Sequence, residues 1–285
     1  MAQKADTRTQ LLTASPFQLM LSLSLPAMIG MVVVGLYSFM DRVFVGQLID
    51  QVAMGAVAVS YPFTLINSGI STLTGVGSAS VLSRAVGKMD QGTIDKIMGN
   101  LIALNLILGV IVTALGMIFT RPILSLSGAE GEILNNAERY LRIIFAGSLF
   151  VNFAQSSNMI MRGEGLLKQA MKNSGGSAVL NIILDPILIL LLRPHGMGID
   201  GAAYATVIAQ IVYAAAMLRH FRSKSKNVRI HGIRLEKSLI PEIFGVGFSA
   251  MLMQVMTLLQ QPVLFPTAHS LGIMLTRGPL SPICR

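Results

Sequence analysis

Asn181-Ile182-Ile183-Leu184-Asp185-Pro186 places a carboxylate and a proline inside an otherwise apolar run. An Asp at the centre of a membrane helix costs roughly 2.5 to 3.5 kcal/mol on insertion scales, so such a residue faces a cavity or a partner. Asn181 lies one helical turn before Asp185, which puts both oxygen-bearing side chains on one face. Pro186 has no N–H, so the carbonyl of Ile182 loses its helical donor. The hexapeptide therefore reads as an oxygen-rich notch. Its competing reading is an Asp at the frayed end of a helix that Pro186 stops.

The surrounding 285-residue chain is 53% hydrophobic and 12% charged, with a mean hydropathy of +0.66. That is too few charges to cover a soluble surface of this size. Apolar runs long enough to cross ~30 Å of hydrocarbon lie at about 17–45, 52–82, 94–119, 170–192 and 201–218, and a further one ends near 161. The expected fold is an all-α integral membrane protein, a six-helix transmembrane bundle plus the start of a seventh helix near 239. A charged, amphipathic stretch, 130–142, leads into the fourth span. The third span is almost wholly apolar and reads as scaffold. In the fourth, Asn152, Gln155 and Asn158 either line a cavity or bond across helices.

The net charge of +9 does not point to nucleic acid, because Lys and Arg sit mainly in short segments between apolar runs. With the N-terminus placed inside, inner segments hold fifteen basic residues and outer segments five, which favours a cytoplasmic N-terminus. The expected organisation is a cytoplasmic segment 1–16, a six-helix lobe 17–218, a basic cytoplasmic connector 219–237 and the start of a second lobe 238–261. Ser24-Leu25-Pro26-Ala27-Met28 also overlays Gly247-Phe248-Ser249-Ala250-Met251 weakly; six spans between them allow a parallel repeat, and chance similarity between apolar stretches is the competing reading. The single Cys284 builds neither an intramolecular disulfide nor a thiolate cluster. His195, His220, His231 and His269 fall in loops or the tail, which argues against a membrane-embedded protease or other enzyme.

With the topology set, helical rise gives depth: Asp185 lies about 12 Å inside the outer edge, Asp41 about 9 Å and Thr206 about 8 Å, with Asn181 one turn deeper. Two carboxylates in a low-dielectric pocket cannot easily both be ionised, so the site can take up a proton. Alternatively Asp41, Asn181, Asp185 and Thr206 supply hard oxygen ligands for a small cation such as Na⁺. No other metal and no cofactor are expected.

Leu25-Pro26-Ala27, Asp41-Arg42-Val43-Phe44-Val45-Gly46, the opening hexapeptide and Gly201-Ala202-Ala203-Tyr204-Ala205-Thr206 resemble, in order and spacing, the first half of multidrug and toxic compound extrusion (MATE) transporters, nearest the bacterial MepA-like and DinF-like members. The resemblance covers about 15–260. It implies two six-helix bundles around a cavity in a bacterial inner membrane, with Na⁺ or H⁺ entry driving export of amphipathic, cationic drugs. It also implies that Asp41, Asn181, Asp185 and Thr206 form the cation site of the first bundle, with Tyr37 nearby. Arg42 departs from the small or hydroxyl residue expected after the aspartate. Helical neighbours point about 100° apart, so Arg42 is not expected to pair with Asp41.

Twelve spans are implied where this chain enters a seventh, so a half-transporter is the expectation. Residues 262–285 no longer resemble the family, read as a shifted frame or a truncated product, and contain prolines expected to interrupt any helix there. The alternatives are an inactive fragment, a structural subunit that pairs with a separate second-lobe polypeptide, or a lipid-linked oligosaccharide flippase of the related superfamily.

Overall fold

A computed structural model describes residues 15–225, 228–230 and 232–270. Long helices joined by tight turns make up the described chain: α1 (Pro16–Leu48), α2 (Gln51–Lys88), α3 (Gln91–Leu126), α4 (Gly131–Ala146), α5 (Ser148–Gly163), α6 (Leu167–Leu192), α7 (Gly198–Arg219) and α8 (Ile240–Ser270). Two aspartates set helix starts. The Asp50 carboxylate accepts from the Ala53 N–H at 2.6 Å and Asp90 from the Thr93 N–H at 3.2 Å, each satisfying a donor that the first turn leaves open.

Among the described residues, five helices are long and apolar enough to cross a membrane, and α4 with α5 make a sixth if that bent pair is one span. The pair bends by 56° across Gly147. A side chain at 147 would meet Val207, so α7 lies against the bend. The chain is thus an all-α membrane bundle. What the sequence treats as a charged approach plus a span is two helices meeting at an angle.

Apolar residues gather in two cores. One, at the end where α2 meets α3, holds Leu82, Ile97, Met98, Leu101, Met161 and Met217; the other, at the opposite end, holds Val45, Leu124, Leu141, Ile189 and Ile199. Between them α2, α3 and α5 are joined by polar bonds. Asn152 Nδ2 donates to Asn67 Oδ1 at 3.0 Å, Asn105 Nδ2 to Ser156 Oγ at 2.9 Å, and Ser71 Oγ to Gln155 Oε1 at 2.9 Å. The third span is therefore more than apolar scaffold, since its buried Asn105 ties α3 to α5.

The basic connector folds back against the bundle. Ser225 Oγ donates to Glu164 Oε1 at 2.6 Å, and the Glu236 N–H donates to Asn100 Oδ1 at 3.1 Å. α8 then packs along α2, where Gly77 faces the Ile243 carbonyl and Gly247 faces the Leu73 carbonyl so closely that a Cβ on either would collide with backbone. Contrary to the sequence expectation, the backbone of α8 stays helical through Pro262 and Pro266 to Ser270. A proline costs a helix a hydrogen bond without ending it when membrane packing and local adjustment re-satisfy the freed carbonyl. Pro279, Pro282 and Cys284 lie outside the described residues, as do Lys4 and Arg8.

Candidate cation site

α6 runs unbroken past Pro186 to Leu192, so Asp185 sits two turns inside a helix and not at a frayed end. It is fully buried, and Asn181 is 2% exposed. With its amide oriented to suit both neighbours, Asn181 donates from Nδ2 to Asp185 Oδ2 at 2.9 Å and accepts at Oδ1 from the Thr206 N–H at 3.2 Å. The opposite orientation would turn Oδ1 toward a carboxylate oxygen and leave a 3.4 Å contact from Nδ2 to Thr206 Oγ1. The one-turn spacing read in the sequence thus becomes a bridge from α6 to α7.

α1, packed along α6, supplies the other carboxylate. Asp41 Oδ1 and Asp185 Oδ1 are both buried without a hydrogen-bond partner among the described residues. Such orphaned acceptors are costly in a low-dielectric interior, and they fit a proton or a small cation in the chemistry of their donor set. Tyr37, one turn before Asp41, faces Thr206 and both carboxylates. Arg42 stacks its guanidinium over the Tyr61 ring, 5.2 Å from the centroid.

Tyr140 of α4, which sequence reasoning passed over, is buried in the apolar cluster that holds Val45 and Ile189, within electrostatic range of Asp41, Tyr37 and Asp185. Its signal was the helical spacing of Ala137, Tyr140, Leu141 and Ile144, a buried face within the stretch taken only as an approach.

A cavity of about 340 Å³ adjoins the site and shares Tyr37 and Asn181 with it. Gln155 and Asn158 also line it, together with Gln210, whose Oε1 is buried without a hydrogen-bond partner among the described residues. Gln210 lies one turn beyond Thr206 on α7, a spacing that would have found it. Asn152 is elsewhere, fully buried in its bond with Asn67. Arg162 reaches the cavity from the last turn of α5, its Nε donating to Asn158 Oδ1 at 3.0 Å.

Fold and site together define a polytopic helical membrane bundle with two carboxylate oxygens buried in its interior. Residues 26–187 match the MatE family model, and the chain belongs to that family. It is 32% identical over 245 residues to the multidrug export protein MepA of Staphylococcus saprophyticus, covering 85% of this chain and 54% of that protein. MepA of Staphylococcus aureus strain MRSA252 is 31% identical over 242 residues, 84% of this chain and 53% of that one. Among solved structures, an outward-facing multidrug resistance MATE family transporter of the MOP superfamily superposes with a TM-score of 0.83 at 30% identity, covering 95% of this chain and 60% of that one. The chain is a MepA-like MATE family member and spans about half the length of the curated relatives it matches.

Proposed function

We propose that this chain supplies the ion-coupling lobe of a multidrug exporter that exchanges Na⁺ or H⁺ for amphipathic, cationic drugs. The observation that carries the reading is a buried carboxylate oxygen on each of Asp41 and Asp185 without a hydrogen-bond partner among the described residues, with Asp185 held through Asn181 to Thr206 and an adjoining cavity lined by Tyr37 and Asn181. An entering ion offsets one carboxylate charge and relieves the Asn181 bridge of bearing that of Asp185 alone. Because Tyr37 and Asn181 belong to both ion site and cavity, a change at the first reshapes the second. Residues 17–218 form this lobe, 219–237 the cytoplasmic connector and 238–261 the entry to a second lobe, which would complete the drug path in a bacterial inner membrane.

The test is ion binding to the purified chain, by ²²Na⁺ retention and by proton uptake on acidification. One of the two ions is expected to bind, and Asp185→Asn to weaken it at least tenfold, about 1.4 kcal/mol. Equal binding by the variant and the parent would sink the assignment.

Arg162 favours a second reading. A lipid-linked oligosaccharide carries phosphate, and Arg162 is a cation lining the cavity, which a flippase needs and a cationic drug does not. Tetraphenylphosphonium binding enhanced by Arg162→Gln supports the drug reading. Binding unchanged by that variant, with a phosphorylated polyprenol competing, supports the flippase.

A further inference from the structure

We propose that the groove between the N-terminal end of α6 and the C-terminal end of α7 binds the anionic headgroup of a phospholipid. It encloses about 240 Å³ and is lined by Gln169, Asn173, Ala216, Arg219 and His220. Amide, guanidinium and imidazole groups are the donors a phosphate needs, and no carboxylate is among the described lining residues. Lys168 and Lys172 are exposed on the same end of α6, and Arg222 follows Arg219. The first turn of α6 has no side-chain cap, so its open N–H groups add positive potential at this end.

The second half of the argument is what continues from the groove. Val179, Ile183 and Ile187 of α6 and Ile208 and Val212 of α7 are exposed along the two packed helices. Asn173 and Ile183 stand about 15 Å apart along the helix axis, half the hydrocarbon thickness. A cationic groove at the end of a leaflet-length apolar face matches a lipid: phosphate in the groove, acyl chains along the face. Free phosphate would use only the groove, and a zwitterionic headgroup would gain little from the surrounding cations. Basic pockets between membrane helices are a recurrent form of headgroup recognition. Ion coupling plays no part in this site, so its test is independent of the exporter reading.

Native mass spectrometry of the delipidated full chain, titrated with phosphatidylglycerol, phosphatidylcholine or inorganic phosphate, reads the site directly. Phosphatidylglycerol is expected to bind at lower concentration than phosphatidylcholine. Arg219→Gln should raise the required concentration about fivefold, the effect of removing one cation near an anionic headgroup. Ala216→Phe should do the same by filling the groove without changing its charge, and so covers a failure of the Arg219 variant to fold. Arg84→Gln removes another cation, 3.0 Å from Glu242, and should leave lipid binding unchanged. Equal binding of both lipids, an equal loss in Arg84→Gln, or displacement of the lipid by inorganic phosphate at matching concentration would each overturn the proposal.

Discussion

At Asn181, one side chain satisfies two helices at once. Truncation to Ala removes the donor to Asp185 and leaves a buried carboxylate oxygen unpaired, a cost of about 1–3 kcal/mol. Thermal unfolding in detergent should show a lower midpoint for Asn181→Ala. The rise in midpoint that the coupling ion gives the parent should shrink with it. Arg42 contributes through a ring. Its contact with Tyr61 is worth about 0.5–1 kcal/mol, so Arg42→Gln should lower the midpoint slightly. An unchanged midpoint would mean that the ring contact adds no stability. The one-turn spacing of Asn181 and Asp185 is legible in the sequence, because helical geometry fixes that pair locally. Tyr140 is not, because its place near them depends on where α4 packs.

Helices α2 and α8 meet through backbone, with Gly77 and Gly247 each seated against a carbonyl of the other helix. Gly247→Val must push the helices apart, and overpacking of this kind costs about 1–3 kcal/mol. Gly247→Val should lower the thermal unfolding midpoint, whereas Gly245→Val, where a Cβ meets nothing within 4 Å, should lower it less. Equal losses would mean that the glycine contact does not hold the crossing. Within α5, hydrogen bonding separates residues that look alike in sequence. Asn152 is spent on Asn67, whereas Asn158 and Gln155 line the cavity. Asn152→Ala is expected to destabilise the chain without changing dye affinity, and Gln155→Ala to weaken dye fluorescence quenching.

Over the whole molecule, the distribution of Lys and Arg predicts that the α2–α3 and α5–α6 turns and the connector are cytoplasmic, and that the turn after α3 is external. In a Cys284→Ser background, Ser223→Cys should react with an impermeant maleimide in inverted vesicles and Ser127→Cys in whole cells. The reverse pattern would reverse the orientation and move the lipid groove to the outer leaflet. Lys96–Glu236 at 3.4 Å also joins the connector to the bundle, and Arg84–Glu242 at 3.0 Å joins α2 to α8. Exposed pairs of this kind contribute little stability, so the connector is held more by Ser225 on Glu164 and by Glu236 on Asn100.

The sequence by itself determined the membrane class, the places of the spans and the Asn181–Asp185 pair. Each follows from a local rule: apolar length against bilayer thickness, or one helical turn between side chains. The tertiary structure decided which polar groups meet. It turned Arg42 onto Tyr61, brought Tyr140 within electrostatic range of the carboxylates, and sent Asn152 into the core while Gln155 reached the cavity. It also bent the fourth span at Gly147 and carried α8 through two prolines. Those outcomes depend on the rotation and approach of neighbouring helices, which no single segment encodes.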